Sequence, residues 1–281
     1  MGKLIIHADD FGLTETINEG IIYAHTNGIV TSTSILANGS AFEHAVKLYR
    51  LTPTLDVGIH LTLVEELPLL EIDQINSLVN KNGKFHRHAI TFIKKYLTKK
   101  ICLKEVKLEL DTQIKKVIDH GIQISHIDSH QHLHLLPGIM SITLELMRKY
   151  HIQAVRLPRE KINLKITLSG ISISRVIQLI GLNYLCSKVK DKSILHTNHF
   201  TGFLYAGQLN RRYLERLIDH FPQNGTCELI CHPGLDNQNT HYNHWQYHWS
   251  EELSVLTDPY ISNLIQQKGF QLISYQDLAH K

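Results

Sequence analysis

The sequence predicts one irregular (β/α) barrel of the TIM-like type, in the α/β class, occupying residues 1–281 as a single domain. Three observations predict it. Short apolar runs rich in β-formers alternate with longer stretches of helical periodicity, the signature of parallel strands joined by helices. A chain of 281 residues suits one such barrel and can bury a large core. The titratable clusters all end predicted strands, which is where barrels of this kind carry their chemistry.

Taken in order, strands are predicted at residues 4–8, 30–37, 56–61, 123–128, 154–157, 194–196, 227–231 and 271–275. A helix spans residues 14–26, where Ile17, Ile21 and Ala24 share one face and Gly28 follows as a stop. A second spans 103–119, with Val106, Leu110, Ile114 and Val117 facing inward and Gly121 after its end. Two more cover 139–149 and 258–268. Residues 65–100 are less regular and read as an insertion over one end of the barrel. Within 160–192, Ile173, Val176, Ile177, Ile180 and Tyr184 form an apolar helix face, expected to pack on the barrel or on a second subunit. A substrate lid or a lipid-contacting surface is the sharper reading of that face. No repeat and no low-complexity tract is present.

Composition narrows the function. A net charge of +3, with Lys and Arg scattered, offers no basic stripe for nucleic acid. The four cysteines form no CxxC pair, so reduced, buried thiols in a cytoplasmic protein are expected. The start of the chain lacks a signal-peptide pattern. The most apolar long stretch, 170–185, is interrupted by Ser174, Arg175, Gln178 and Asn183, so no membrane insertion is expected. Histidine is the outlying entry in the composition, at 20 residues, and it is the commonest metal ligand.

Four segments carry chemistry. In Ala8-Asp9-Asp10-Phe11-Gly12 a strand runs into two adjacent carboxylates, a turn and a helix. Two buried carboxylates repel unless a cation lies between them; one can face a metal and the other a water. The plainer alternative is Asp10 as a helix N-cap. In His126-Ile127-Asp128-Ser129-His130-Gln131-His132-Leu133-His134 titratable residues recur at every second position, one face of a strand. A solvated edge strand is the alternative, but apolar Ile122, Ile124, Leu135 and Leu136 flank the run and Pro137 ends it. Strand geometry should fail near Ser129. That leaves His130 as a ligand, Asp128 and His126 as hydrogen-bonding supports, and His132 and His134 facing elsewhere. His60, in Gly58-Ile59-His60-Leu61, would alone be read as a satisfied core residue, yet a third ligand is needed. His232, in Cys231-His232-Pro233-Gly234, ends a late strand and suits a general acid or a backbone-bonded turn. Cys227 and Cys231 flank Glu228 on that strand and read as small core fillers. One aspartate and two histidines leave an open coordination sphere, the pattern of a catalytic site. Without a thiolate, zinc, magnesium, manganese or cobalt would all serve.

Together ADDFG (8–12), GIHLTL (58–63), HIDSHQHLH (126–134), VRLPRE (155–160) and ELICHPG (228–234) resemble the YdjC-like carbohydrate deacetylases, a family that includes chitooligosaccharide deacetylases and hopanoid-biosynthesis relatives. The resemblance spans nearly the whole chain. It implies a fold similar to the NodB-type polysaccharide deacetylases, and one divalent ion, magnesium or zinc before manganese or cobalt, on Asp10, His60 and His130. It further implies Asp9 as general base, His232 as general acid, and Arg156 supporting Asp9 or touching substrate. Asp128, His126 and His132 would then be supporting or substrate-contacting residues. One departure is visible: His7 stands where relatives often carry Asn. The implied reaction is metal-assisted removal of the N-acetyl group from an amino sugar, an oligosaccharide or a lipid-linked sugar. Apart from the resemblance, the apolar segment around Ile177 leads us to expect a homodimer. Two other readings compete. A phosphoester hydrolase would need a phosphate loop or an arginine cluster, and neither is evident. A silent sugar-binding protein would show a broken ligand set.

Overall fold

The computed structural model describes residues 1–161, 172–191, 193–235 and 242–279. Eight strands form one parallel sheet: β1 (Lys3–Phe11), β2 (Ser32–Ile35), β3 (Asp56–Leu61), β4 (His126–Ser129), β5 (Ala154–Val155), β6 (His199–Thr201), β7 (Thr226–Cys231) and β8 (Gln271–Leu272). The order is β5-β4-β3-β2-β1-β7-β6, and β8 pairs with the start of β1. The sheet curls, but β5 and β6 share no ladder. Single bridges, Ala154 to Leu195 and Glu160 to Phe200, link the two edges. The barrel is therefore irregular and incompletely zipped, as the sequence predicts.

Helices pack outside: α1 (Glu15–Thr26), α2 (Phe42–Leu51), α3 (Ala89–Leu97), α4 (Leu103–Asp119), α5 (Pro137–Lys149), α6 (Ile173–Lys188), α7 (Arg211–His220), α8 (Trp249–Leu256), α9 (Pro259–Gln267) and α10 (Gln276–Ala279). Period two explains the layering of β1. Leu4, Ile6 and Ala8 join the main core beneath the helices, whereas Ile5 joins a small inner cluster with Ala154, Ile273, Tyr275 and Leu278 that plugs one end of the barrel. His7 and Asp9, in phase with Ile5, continue the inner face toward the other end. Thr14 caps α1 by accepting from the Ile17 amide, and α4 buries Val106, Leu110, Ile114 and Val117 as its periodicity requires.

The structure corrects several expectations. The strand predicted at 194–196 shrinks to one bridge at Leu195, and the true strand lies at His199–Thr201. Helices α2, α3, α7 and α8 were not anticipated; each is short, which weakens a periodic signal. On α6 the predicted apolar face is turned outward on this chain: Ile173, Ile177, Ile180 and Tyr184 are 79%, 64%, 60% and 60% exposed. The helix is apolar on more than one side, and Leu179 and Cys186 make the inward contact instead. Cys102 is exposed, unlike the other three cysteines. No helix among the described residues is long and apolar enough to cross a membrane.

Candidate metal centre and active site

The C-terminal strand ends meet at one mouth. β1 pairs with β2 at Ala8–Thr33 and again at Phe11–Ile35, so one extra residue bulges between them. Asp10 sits in that bulge with φ +71°, a left-handed conformation that a non-glycine residue adopts at a cost. The bulge breaks the alternation, so Asp9 and Asp10 can both face the mouth. On β4 the alternation ends at Ser129. The chain then turns through a short 3-10 segment, His130–Leu135, with Gln131 and His132 at φ 54° and 55°. This agrees with the failure of strand geometry expected there.

Asp10, His60 and His130 come together. Asp10 Oδ1 lies 3.5 Å from His60 Nε2 and 3.3 Å from His130 Nδ1. It is buried without any hydrogen bond. Each imidazole is turned by a carboxylate behind it. His60 donates its Nδ1–H to Asp128 Oδ1 at 2.8 Å, and His130 donates its Nε2–H to Glu65 Oε2 at 2.7 Å. A carboxylate only accepts, so the opposite nitrogens, His60 Nε2 and His130 Nδ1, are left to face Asp10. Burial alone would lower His130, but Asp10 and Glu65 raise it to about 10. The pair of carboxylates thus favours positive charge between them. These three residues could hold a metal ion. Two overlapping groups, His7/His126/Asp128 and Asp9/His60/Asp128, are also close-set. Their atoms, however, are tied to one another and to Arg156, whereas Asp10 Oδ1 is orphaned.

Arg156 is wholly buried and organises the floor of the site. Its guanidinium donates to Asp9 Oδ2 at 2.9 Å and Asp9 Oδ1 at 2.8 Å, to Glu228 Oε1 at 2.7 Å, and pairs with Asp128 Oδ2 at 2.6 Å. Burial would raise the Asp9 carboxyl, but Arg156 and His7 hold it well below the usual carboxylate range. His7 Nδ1 lies 2.7 Å from Arg156 Nη2 and 2.9 Å from Asp9 Oδ1, and the contacts run on from His7 Nε2 to His126 Nε2 at 2.8 Å and from His126 Nδ1 to Ser125 Oγ at 2.8 Å. Burial holds His126 neutral, well below the ordinary histidine range. His126 therefore bonds to His7 and to no member of the Asp10 trio. Gly58 makes room for it, since a Cβ there would lie 2.4 Å from the His126 ring.

His232 follows β7 directly. Its backbone N–H donates to Glu252 Oε2, while its Nδ1 is buried with no hydrogen bond. Burial lowers its pKa; Asp9 and Asp10 pull the other way. His132 is buried beside Phe200 and Phe203, and its Nδ1 is also unpartnered. His134 is structural: it donates Nε2–H to the Arg156 carbonyl at 2.9 Å and accepts from Ser129 at 2.6 Å.

Sequence reasoning missed the outer wall. Glu65 and Glu66, at the head of the 65–100 insertion, meet a segment rich in aromatics. Trp245 Nε1 donates to Glu65 Oε1 at 3.0 Å, and the Tyr242 hydroxyl donates to Glu66 Oε1 at 2.7 Å. Trp245 stands 5.2 Å from the His130 ring, and Tyr247 stands 4.7 Å from the His232 ring, centroid to centroid. A signal existed: both tryptophans of the chain fall within Trp245–Trp249, among two tyrosines and two histidines at 242–248.

Fold and site define the class: an α/β barrel whose strand ends gather a buried Asp-His-His cluster able to hold a metal ion. The comparisons carry this further. The chain belongs to the YdjC-like protein family, whose model matches residues 3–267. It is 31% identical to a carbohydrate deacetylase of Brevibacillus brevis, over 99% of this chain and 100% of that protein. It is 28% identical to a chitooligosaccharide deacetylase of Proteus mirabilis, over 98% of each chain. Among solved structures it resembles an Enterococcus faecalis protein provisionally named for cellobiose-phosphate cleavage, with a TM-score of 0.75, 28% identity and 98% of each chain covered.

Proposed function

We propose that this protein is a metal-dependent deacetylase that hydrolyses the N-acetyl group of an amino sugar or short oligosaccharide in the cytoplasm, with the ion held by Asp10, His60 and His130. The observation that carries the reading is the orphaned Asp10 Oδ1 facing two imidazole nitrogens whose far sides are both pinned by carboxylates. Hard oxygen and imidazole donors suit magnesium or zinc, and also manganese or cobalt. A divalent ion bound there would polarise the acetyl carbonyl and acidify a water. Asp9, kept ionised and in place by Arg156, accepts the proton of the water that attacks the acetyl carbon. His232 donates a proton to the sugar nitrogen as the C–N bond breaks, leaving acetate and a free amine. Its unpartnered Nδ1 supports that role. Trp245 and Tyr247 offer apolar ring faces at the mouth, the surface a pyranose needs for stacking.

The test is acetate release from a panel of N-acetylated mono- and oligosaccharides, after metal stripping and add-back of each of the four ions, with phosphorylated cellobiose as a comparison substrate. Acetate should appear only with metal restored, and Asp9→Asn should lower kcat by at least about 100-fold while metal still binds. Cleavage of the glycosidic bond without acetate, or near wild-type turnover of Asp9→Asn, would refute the reading.

A further inference from the structure

The Glu65 side chain hydrogen-bonds to both halves of the site. Its Oε2 accepts from His130 Nε2 at 2.7 Å; its Oε1 accepts from Trp245 Nε1 at 3.0 Å and from His244 Nε2 at 3.2 Å. Its backbone is in the left-handed region, at φ +69°, and is held there from both sides: its own N–H donates to the His86 carbonyl at 3.0 Å, and the Glu66 N–H donates to the Val64 carbonyl at 2.8 Å. A carboxylate kept in such a conformation, and nearly buried, is over-determined by its surroundings. Of the seven described non-glycine residues with positive φ, five (Asp10, Glu65, Gln131, His132 and Gln246) lie in the segments that build this mouth. Glu65 cannot itself reach an ion lying between Asp10 and the two histidines. It sits on the Nε2 side of His130, and the nitrogen facing Asp10 is Nδ1 on the other side of the ring.

We infer that Glu65 is a positioning residue that couples the metal site to the aromatic wall: by fixing which nitrogen of His130 faces Asp10 and gripping Trp245 with its other oxygen, it makes metal loading order the wall, and the wall strengthen metal binding. The inference rests on the metal site proposed above. Its physical basis is reciprocity, because two events that share one carboxylate must influence each other equally. Loss of the carboxylate lets the His130 ring rotate or keep its proton on Nδ1, which spoils the lone pair that an ion beside Asp10 would need. The same loss frees the Trp245 indole.

The test uses zinc alone as probe, with no sugar and no turnover. Zinc affinity is measured by competition with a chromophoric chelator, and tryptophan emission is followed during the titration. In the wild-type protein zinc should change the emission, and Trp245→Phe should abolish that change, which assigns it. Glu65→Gln should weaken zinc binding by about 10- to 100-fold and remove the emission change even at saturating zinc, while the circular dichroism of the zinc-free protein stays that of the wild type. If Glu65→Gln fails to fold, Trp245→Phe carries the test, since it keeps the carboxylate and a ring but loses the N–H; zinc affinity should then fall several-fold. Unchanged zinc affinity in either folded variant, or a full emission change in Glu65→Gln, overturns the coupling. Asp10→Asn separates the two claims: if zinc binds equally well without that carboxylate, the metal site itself is wrong.

Discussion

Asp10 and Glu252 show how burial sets chemistry one side chain at a time. The Asp10 Oδ1 faces two imidazole nitrogens at 3.5 and 3.3 Å without a close hydrogen bond, an arrangement that a cation would satisfy. Glu252 is treated in the opposite way. It accepts from the backbone N–H groups of Leu209 and His232, yet burial raises its carboxyl to about 8. The consequence for stability has a definite sign. Below the unfolded-state value near 4.5 the group is protonated in both states and costs nothing. Between there and about 8 the folded state holds a proton that the unfolded state has released, so stability falls as pH rises. Urea unfolding of the metal-free protein should show this component, on the order of 1 kcal/mol per pH unit. Glu252→Gln should be less stable at pH 6 but show a flatter slope from pH 6 to 7.5; equal slopes would contradict the assignment. Single residues were unevenly legible. The Asp9-Asp10 pair and the His126–His134 run announce themselves by density and spacing. Glu65 and Glu252 each stand in an adjacent acidic pair, yet their importance comes from partners 65 and 20 positions away, which no local pattern carries.

The elements hold these residues in place by close contact. α1 crosses the turn after His232 so tightly that a Cβ on Gly20 would lie 2.4 Å from the Gly234 Cα. The Leu235 N–H also donates to the Thr16 carbonyl at 3.0 Å, and the Gly234 N–H donates to the Trp249 carbonyl at 3.2 Å. Gly20→Ala must therefore push backbone against backbone. It should cost about 1–3 kcal/mol and, by moving the turn that bears His232, lower kcat more than it changes metal affinity. Thermal unfolding and zinc titration on the same sample check both parts; unchanged turnover in a destabilised protein would uncouple the turn from the acid. At this level the long, periodic elements were readable: β1, β3, β7, α1 and α4 lie where alternation and helical spacing place them. Strands β5 and β6 are two and three residues long, set by register with their neighbours, and nothing in so short a stretch marks its ends.

Across the whole molecule, the curled parallel sheet brings residues from positions 10, 60 and 130 to one mouth because Asp10 and His60 are next to last in their strands and His130 directly follows its own. Incomplete closure between β5 and β6 is offset by Glu160. That side chain accepts from Thr201 Oγ1 and from the backbone N–H groups of Gly202, Phe203 and Leu204, stitching the two edges together above the bridges. Relatives named as deacetylases match this chain over nearly their full lengths. The family and the barrel were legible in the motif order. The outer wall was not, since it forms only when residues 65–66 and 242–249 meet in space. The most direct test of the metal centre is an anomalous difference map from a zinc-soaked crystal. A single peak is expected about 2.0–2.2 Å from Asp10 Oδ1, His60 Nε2 and His130 Nδ1. A peak on the His7–His126 pair instead, or none within reach of Asp10, would contradict it.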